Sequence, residues 1–185
     1  MTRAERHAAI LDGAEQAFAA RGFAATSMER VASASGITKL IVYRHFASKQ
    51  DLYRAVLDRT LSRLKTELAD QARRGGQGQI TRAVLCVARA HPDGLRLLVV
   101  HAAREPDFAD LAAQLRARAN EVVAARFATV ADPALRRWMA HVVVSHLLES
   151  VLSWLDLGDA ERDEEFAERC AAGLSAMISA WRALP

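Results

Sequence analysis

Apolar residues recur at three- and four-residue intervals along almost the whole chain, and no stretch shows the strict alternation typical of a strand. This recurrence predicts an all-α protein of about nine helices. The predicted helices span residues 4–20, 27–34, 38–45, 48–72, 80–90, 95–104, 107–128, 134–157 and 160–184. A glycine-rich loop at 73–79 is the first clear seam after a long helix.

Residues 26–49 have the pattern of two short helices joined by a tight turn. Thr26 is the predicted N-cap of the first helix, and Glu29, three residues later, completes a capping box. Gly36 supplies the turn, because a residue without Cβ adopts a positive φ at no steric cost. Thr38 is then placed to cap the second helix. This spacing is typical of a helix-turn-helix, in which the second helix enters the major groove of DNA.

The same stretch resembles the N-terminal domain of the TetR family of bacterial transcriptional repressors. The residues that carry the resemblance are Gly36-Ile37-Thr38-Lys39, Val42-Tyr43-Arg44-His45-Phe46 and Ser48-Lys49, followed by an amphipathic helix. The resemblance is specific, since uncommon residue types fall at fixed offsets. One departure is Lys39-Leu40-Ile41, where many relatives carry Lys-Gly-Thr or Lys-Gly-Asn inside the recognition helix.

The chain is predicted to contain two domains. Residues 1–47 would form a three-helix DNA-binding domain, in which the helix at 4–20 braces the other two. Residues 48–185 would form a helical domain for dimerisation and, as the resemblance implies, for effector binding. The helix at about 48–72 would run about 36 Å, which is too long for the DNA-binding unit alone, so we expect it to connect the two domains.

The last two helices carry the signal for assembly. Residues 138–157 are apolar nearly all round the helix, which indicates burial on more than one side. A membrane span is the competing interpretation, and four ionisable side chains in this stretch argue against it. The final helix has its small residues Ala172, Ala176 and Ala180 on a separate side, which permits close helix contact. Two such helices from each of two chains predict a four-helix interface, the usual dimer of the resembled family.

Composition narrows the class of protein. The 185 residues are 51% hydrophobic, enough for a full core without metal or disulfide support. A formal net charge of +3 permits nucleic-acid binding without requiring it. Cys86 and Cys170 are solitary, which excludes a disulfide framework and favours reduced, buried thiols. The charged N-terminus is unlike a signal peptide, so we expect a cytoplasmic protein.

The predicted DNA contacts follow from the chemistry of phosphates and base edges. Hydroxyls, phenols and cations satisfy phosphate oxygens. Lys39 can instead reach a guanine edge, and an exposed Leu40 can meet thymine methyl groups. The ring of Tyr43 has a structural alternative in the small core. The predicted set is Thr26, Ser27, Thr38, Lys39, Leu40, Tyr43, Arg44, His45 and Lys49.

Enzymatic signatures are missing from the sequence. It has no glycine-rich phosphate loop, no paired metal ligands and no nucleophile elbow, so no enzyme, cofactor or metal site is predicted. A polar patch does interrupt the apolar helix at 138–157, and buried polar groups need partners. Those partners are a ligand, a water or the other subunit, and the sequence leaves these alternatives open. The predicted ligand site, with apolar walls and a few polar anchors, consists of His101, Phe108, Trp138, His146 and Glu149.

These features predict a homodimeric DNA-binding transcriptional regulator that recognises a pseudo-palindromic, double-stranded site. The resemblance implies a repressor that a small, mostly apolar effector releases from its operator. Two alternatives stay open. One is a constitutive DNA-binding regulator without a ligand, and the other is a small-molecule-binding protein with a degenerate helix-turn-helix.

Overall fold

A computed structural model describes residues 1–183, and within them the chain forms nine α-helices and no strand. The helices are α1 (Arg3–Arg21), α2 (Met28–Ser35), α3 (Lys39–His45), α4 (Lys49–Arg74), α5 (Gln79–Ala90), α6 (Pro92–Arg96), α7 (Ala109–Ala124), α8 (Pro133–Leu157) and α9 (Asp163–Arg182). The all-α fold class is confirmed. The predicted end of the last helix at Leu184 lies outside the described residues.

The sequence-based boundaries fail in one region, around α6. Residues 91–94 were expected to interrupt the helices, yet α6 begins at Pro92 with His91 as its N-cap. Proline is tolerated there because the first helical N–H has no intrahelical partner. The helix predicted at 95–104 is also irregular, since a π-helical turn at Leu97–His101 and a 3-10 turn at Ala102–Arg104 follow α6 directly.

The helices divide into two compact units. The first consists of Met1–Arg63 together with His91–Leu111, and the second consists of Leu64–Ala90 together with the chain from Ala112 onward. Helix α4 therefore contributes residues to both. The domain boundary predicted between residues 47 and 48 was based on the expected functions of the two segments and not on their packing, and it stays a prediction.

The first unit is built on a close approach of α1 to α2. A Cβ on Gly13 would lie 2.6 Å from the backbone nitrogen of Ser35, so only glycine permits this packing. Behind it, an aromatic cluster fills the core. The ring of Tyr53 lies 4.9 Å from that of Phe18, 5.1 Å from that of Phe23 and 4.6 Å from that of Phe108. Because Phe108 lies just before α7, the cluster fixes the segment that follows the 3-10 turn.

The second unit packs α5 against α8 and α9. Phe127, Met139, Val143 and Leu174 form a buried apolar cluster there. A polar clamp holds the connection between α8 and α9, where the Asp163 carboxylate accepts hydrogen bonds from Arg89 and from the indole N–H of Trp154. Cys86 is exposed rather than buried as expected, and both cysteines are free.

Much of α8 and α9 is uncovered in the single chain. Among the described residues, α8 has the length and hydrophobicity of a membrane-crossing helix, and 28% of its most apolar stretch is buried. Trp138 is 51% exposed and Leu157 is 87% exposed. On α9, the three alanines singled out from the sequence, Ala172, Ala176 and Ala180, are all exposed.

Candidate nucleic-acid interface

The helix-turn-helix begins one residue later than the sequence suggests. Ser27, not Thr26, is the N-cap of α2, and its hydroxyl accepts a hydrogen bond from the backbone N–H of Arg30. Thr26 is 2% exposed, and its hydroxyl donates to the carbonyl oxygens of Ala17 and Gly22. Its predicted contact with DNA is therefore corrected, since the side chain is buried and already bonded within the protein.

The turn between α2 and α3 has the geometry expected from Gly36. Its φ of 64° and ψ of 25° are left-handed, and its backbone N–H donates to the carbonyl oxygens of Ala32 and Ser33. The N–H of Ile37 also donates to Ala32, at 3.0 Å. Three hydrogen bonds to two carbonyl oxygens in the last turn of α2 thus fix the direction in which α3 leaves the turn.

Helix α3 has one buried and one exposed face. Val42 and the adjoining Phe46 are buried and anchor the helix to the small core. On the other face, Leu40 is 65% exposed and Tyr43 is 45% exposed, so the Tyr43 ring serves the surface more than the core. The remaining exposed members of the predicted set on this segment are Thr38, Lys39 and Arg44.

Thr38 occupies the N-cap position of α3, as predicted, but its side chain makes no capping hydrogen bond. An exposed hydroxyl at a helix N-terminus is well suited to a phosphate oxygen, since the helix dipole favours an anion there. The geometry therefore agrees with a phosphate contact more than with a purely structural cap.

Lys39 has a partner that the sequence-based set omits. Its ammonium forms an ion pair with the carboxylate of Glu29 on α2, and it lies 5.7 Å from the centre of the Tyr43 ring. Hydrogen bonding from Lys39, then from its own backbone N–H and the hydroxyl of Ser27, lowers the pKa of Glu29 to about 2. From the sequence, Glu29 was expected only as half of a capping box, so its ion pair with Lys39 across the two helices was missed.

His45, at the end of α3, is held against α1. Its ring lies 5.7 Å from that of His7, which itself stacks on Phe46 at 5.1 Å. Burial lowers the pKa of His45 below its ordinary value, and nearby His7, Arg3 and Arg6 lower it further. A neutral imidazole can still donate one hydrogen bond to a phosphate, but it adds no positive charge.

Lys49 is engaged inside the protein. Its ammonium donates to the carbonyl oxygens of Phe23 and Ala24, at 2.8 and 3.2 Å, and lies 4.4 Å from the centre of the Phe23 ring. These contacts join the start of α4 to the α1–α2 connection. Lys49 therefore has a structural role in placing the helix-turn-helix, and its predicted contact with DNA would compete with these bonds.

A buried carboxylate that sequence reasoning missed ties together three helices of the first unit. Glu15 of α1 is 7% exposed. Its oxygens accept hydrogen bonds from Arg59 at 2.7 Å and Arg63 at 3.2 Å, both on α4. They also accept the backbone N–H of Gly94 on α6, at 3.1 Å. Glu15 is thus the point at which α1, α4 and α6 meet through hydrogen bonds.

The five residues of the predicted ligand site are not gathered in one unit. His101 and Phe108 belong to the first unit, whereas Trp138, His146 and Glu149 belong to the second. Phe108 is 1% exposed and fills the aromatic cluster, while His146 and Glu149 are exposed on α8. A cavity of about 790 Å³ does occur beside α1, but none of the five residues lines it. The ligand site stays a prediction.

An exposed second helix, a left-handed glycine turn and a buried anchor behind them define a helix-turn-helix DNA-binding protein. The sequence model of the bacterial regulatory proteins of the tetR family matches residues 10–56. An HTH-type transcriptional repressor from Mycobacterium tuberculosis is 35% identical over 135 residues, which cover 72% of this chain and 71% of that protein. The chain therefore belongs to the TetR family, whose members are DNA-binding transcriptional regulators that typically act as dimers.

Two further relatives mark the range of the similarity. The HTH-type transcriptional activator FasR from Mycolicibacterium smegmatis is 39% identical over 64 residues, which cover 35% of this chain and 29% of that protein. The crystal structure of a TetR-like transcriptional regulator from Rhodococcus has a TM-score of 0.77 at 23% identity, covering 98% of this chain and 97% of that chain. The first match covers about a third of this chain, whereas the second shows that the chain shares the fold over nearly its whole length.

Proposed function

We propose that this protein is a homodimeric, cytoplasmic transcriptional repressor that binds a pseudo-palindromic operator and is released by a small, mostly apolar effector. The observation that carries the DNA-binding part is the exposed face of α3. It presents a hydroxyl, an ammonium, an alkyl group, a phenol and a guanidinium on residues Thr38, Lys39, Leu40, Tyr43 and Arg44. The proposal assigns no catalytic activity, because a repressor acts by occupying its site.

In this mechanism, phosphate contacts set the register and base contacts set the sequence. Thr38, Tyr43 and Arg44 would bond phosphate oxygens. Lys39 would reach a guanine edge and Leu40 a thymine methyl group. A two-fold dimer would place its two α3 helices in successive major-groove turns, about 34–36 Å apart or somewhat more on a longer site.

The test of DNA reading starts from an operator selected out of a randomised duplex library. Lys39→Ala should weaken binding to that operator by about 1–3 kcal/mol and relax the preference at one position in each half-site. Tyr43→Phe should weaken binding more uniformly across sequences, since it removes only a hydroxyl. Lys65→Ala, an exposed lysine of α4 in the second unit, is the matched control and should bind like the parent. Unchanged operator affinity in the first two variants would refute the role assigned to α3.

The dimer part of the proposal is supported by the uncovered surface of α8 and α9. A soluble chain rarely leaves a large aromatic side chain and a run of small residues exposed on neighbouring helices without a partner. The ring of Trp138 lies 5.1 Å from that of Trp181, tilted by 35°, so the exposed indole is also held in place. A second copy covering these helices would bury the apolar side chains and complete a four-helix interface.

The effector part rests on how the segment 92–108 is bonded within the first unit. The backbone N–H of Gly94 is held by Glu15 of α1, and the ring of Phe108 is held by Tyr53 of α4. A ligand that shifts this segment would therefore move helices that carry α3. Such a ligand controls DNA binding only if it has different affinities for the two arrangements.

The effector is tested by thermal denaturation and DNA release measured together. A panel of small apolar compounds, with and without one cationic group, should include members that raise the unfolding temperature by mass action. The same members should lower the affinity for the selected operator. Compounds that stabilise the protein without releasing DNA, or the absence of any stabilising compound, would favour the alternative of a constitutive regulator.

A further inference from the structure

The recognition helix carries an internal competitor for one of its own cations. Ser27, Glu29, Lys39 and Tyr43 are all exposed, and Lys39 both pairs with Glu29 and lies 5.7 Å from the centre of the Tyr43 ring. The carboxylate of Glu29 is paired with Lys39 and also accepts hydrogen bonds from its own backbone N–H and from Ser27. One proposed DNA contact, Lys39, is therefore paired with a carboxylate that lies outside the proposed DNA contact set.

The charges in this cluster are fixed under ordinary conditions. The pKa of Glu29 is lowered to about 2, and hydrogen bonding to Glu29 raises the pKa of Lys39 above its usual value. Glu29 is thus an anion and Lys39 a cation wherever the protein meets DNA. The pair as a whole is neutral, although α3 looks basic when its residues are counted singly.

We propose that Glu29 is a specificity-determining residue that holds Lys39 on DNA offering only phosphates and yields it to DNA offering a guanine edge. This proposal rests on the proposed function, in which Lys39 reads a base. It concerns a positioning role, since Glu29 acts on DNA through Lys39.

The physical argument compares two exchanges. On an unrelated sequence, Lys39 would exchange the carboxylate of Glu29 for a DNA phosphate. Glu29 would then be left unpaired beside the negatively charged DNA, so the exchange would add little binding free energy. On the operator, a guanine presents two acceptors, O6 and N7, whose correct pairing is worth about 1–3 kcal/mol. The guanine contact can therefore break the ion pair when a phosphate does not. Without Glu29, Lys39 would bind phosphates on every sequence.

Salt dependence measures this difference directly, because each phosphate neutralised by a protein cation releases counterions. The slope of log K against log salt changes by about 0.9 for each such contact on duplex DNA. A lysine held by Glu29 adds nothing to the slope on unrelated DNA. A released lysine adds one contact per subunit.

The experiment compares the full-length parent with Glu29→Gln on two duplexes, the selected operator and an unrelated sequence of equal length. Glu29→Gln should bind the unrelated duplex about three- to tenfold more tightly at low salt, with a slope steeper by about 0.9 per subunit. Operator affinity should change less, so the ratio of specific to unrelated binding should fall. Asp58→Asn, which changes the charge equally on an exposed residue of α4, should leave both slopes unchanged.

Lys39→Ala supplies the second arm of a double-mutant cycle. In that background, Glu29→Gln should no longer steepen the slope on unrelated DNA, because no lysine is released. An equal steepening with and without Lys39 would mean general charge repulsion and would overturn the proposal. An unchanged slope in the single variant would overturn it as well. If Lys39→Ala alone leaves operator affinity intact, the base-reading role under the proposed function fails instead.

Discussion

The two units of the chain differ in the side chains that they bury and expose. The first unit buries a carboxylate, Glu15, and pairs it with Arg59 and Arg63. Its large exposed apolar side chains on helices, Leu40 and Tyr43, lie on α3. The second unit leaves apolar residues uncovered on several helices, which are Ile80, Val122, Leu135, Trp138 and Leu157.

This difference agrees with the proposed dimer, in which α8 and α9 of the second unit meet a second copy. A buried ion pair with good hydrogen bonds fixes one arrangement of its helices, because breaking it leaves an uncompensated charge. Exposed apolar area has the opposite effect, since it lowers its free energy by meeting another apolar surface. The first unit therefore has the properties expected of a rigid DNA-binding domain, and the second those expected of a dimerisation surface.

The largest expected effect is on assembly. Ala176→Arg places a bulky charge on the exposed small-residue side of α9, where overpacking and an unpaired charge both oppose a close helix contact. We expect the dimer to dissociate to monomers, with loss of operator binding. Light scattering of the eluting protein measures the mass.

Ala69→Arg, on an exposed position of α4 in the same unit, is the control and should remain dimeric. A parent protein that is a stable monomer would contradict the proposed dimer. The variant then has nothing to dissociate.

The second effect separates a buried ion pair from a partly exposed one. Glu15→Gln leaves two arginines without their carboxylate in the first unit, and we expect a loss of about 3 kcal/mol in the free energy of unfolding. Asp163→Asn weakens the clamp of the second unit, where the side chains of Asp163 and Arg89 are 25% and 27% exposed. Solvent screens that pair, so we expect a loss of about 1 kcal/mol.

Urea denaturation of both variants gives the two free energies on one scale. Equal losses would mean that the first unit is no more dependent on its internal charges than the second. That result would contradict the proposed difference between the two units.

The third effect concerns pH and the aromatic cluster. Burial raises the pKa of Tyr53 to about 12, and its hydroxyl has no hydrogen-bond partner among the residues that the structure describes. The folded protein thus keeps this phenol neutral to higher pH than the unfolded chain does. The associated stability is complete below about pH 10 and is lost as the pH rises toward 12, by about 2–3 kcal/mol for a shift of about two units.

Tyr53→Phe should remove this loss and should cost little at neutral pH, since an unpaired buried hydroxyl contributes no bond. Tyr43→Phe is a natural control because the chain has two tyrosines and this one is exposed. It should keep the parent profile between pH 10 and 12. A parent-like profile in Tyr53→Phe would show that another group causes the alkaline loss.

The last prediction compares one glycine in each unit, and its smaller effect is the smallest expected here. A Cβ on Gly94 would lie 2.7 Å from the Thr60 hydroxyl and 2.8 Å from a Glu15 oxygen, so Gly94→Ala should cost about 1–3 kcal/mol. A Cβ on Gly173 of α9 would meet no atom of residues 1–183 within 4 Å. Gly173→Ala should therefore stabilise the monomer by about 0.5–1 kcal/mol.

The two glycine variants also test how closely the helices approach one another. If Gly173→Ala strengthens thermal stability but weakens the dimer, the partner approaches α9 closely at this point. A stabilising effect of Gly94→Ala would contradict the tight meeting of α1, α4 and α6.

Local sequence determined the secondary structure of this protein outside the region around α6, and it determined the class to which the protein belongs. The turn at Gly36, the N-cap at Thr38 and the buried Val42 and Phe46 all follow from neighbours within a few residues, and the structure has each of them. The two-sided character of α9 was equally readable, because helical periodicity alone separates Ala176 from the buried Leu174. Spacing of this kind depends on the helix geometry and not on where the helix lies.

Tertiary structure decided which side chains are available for function. Thr26 was expected at the DNA surface and is buried, Phe108 was expected on a cavity wall and fills a core, and Lys49 bonds to the α1–α2 connection. Nothing local distinguishes these residues from exposed ones. Their environments are made by segments that only the fold brings together.

The ion pairs show the same limit most clearly. Glu15 bonds to a residue 44 positions away and to another 79 positions away, and no periodicity relates them. Glu29 lay inside a recognised motif, yet its pairing with Lys39 depends on the angle between α2 and α3. An ion pair forms between charges that lie within a few ångströms of each other in space, because their attraction weakens with distance. The sequence records only distances along the chain.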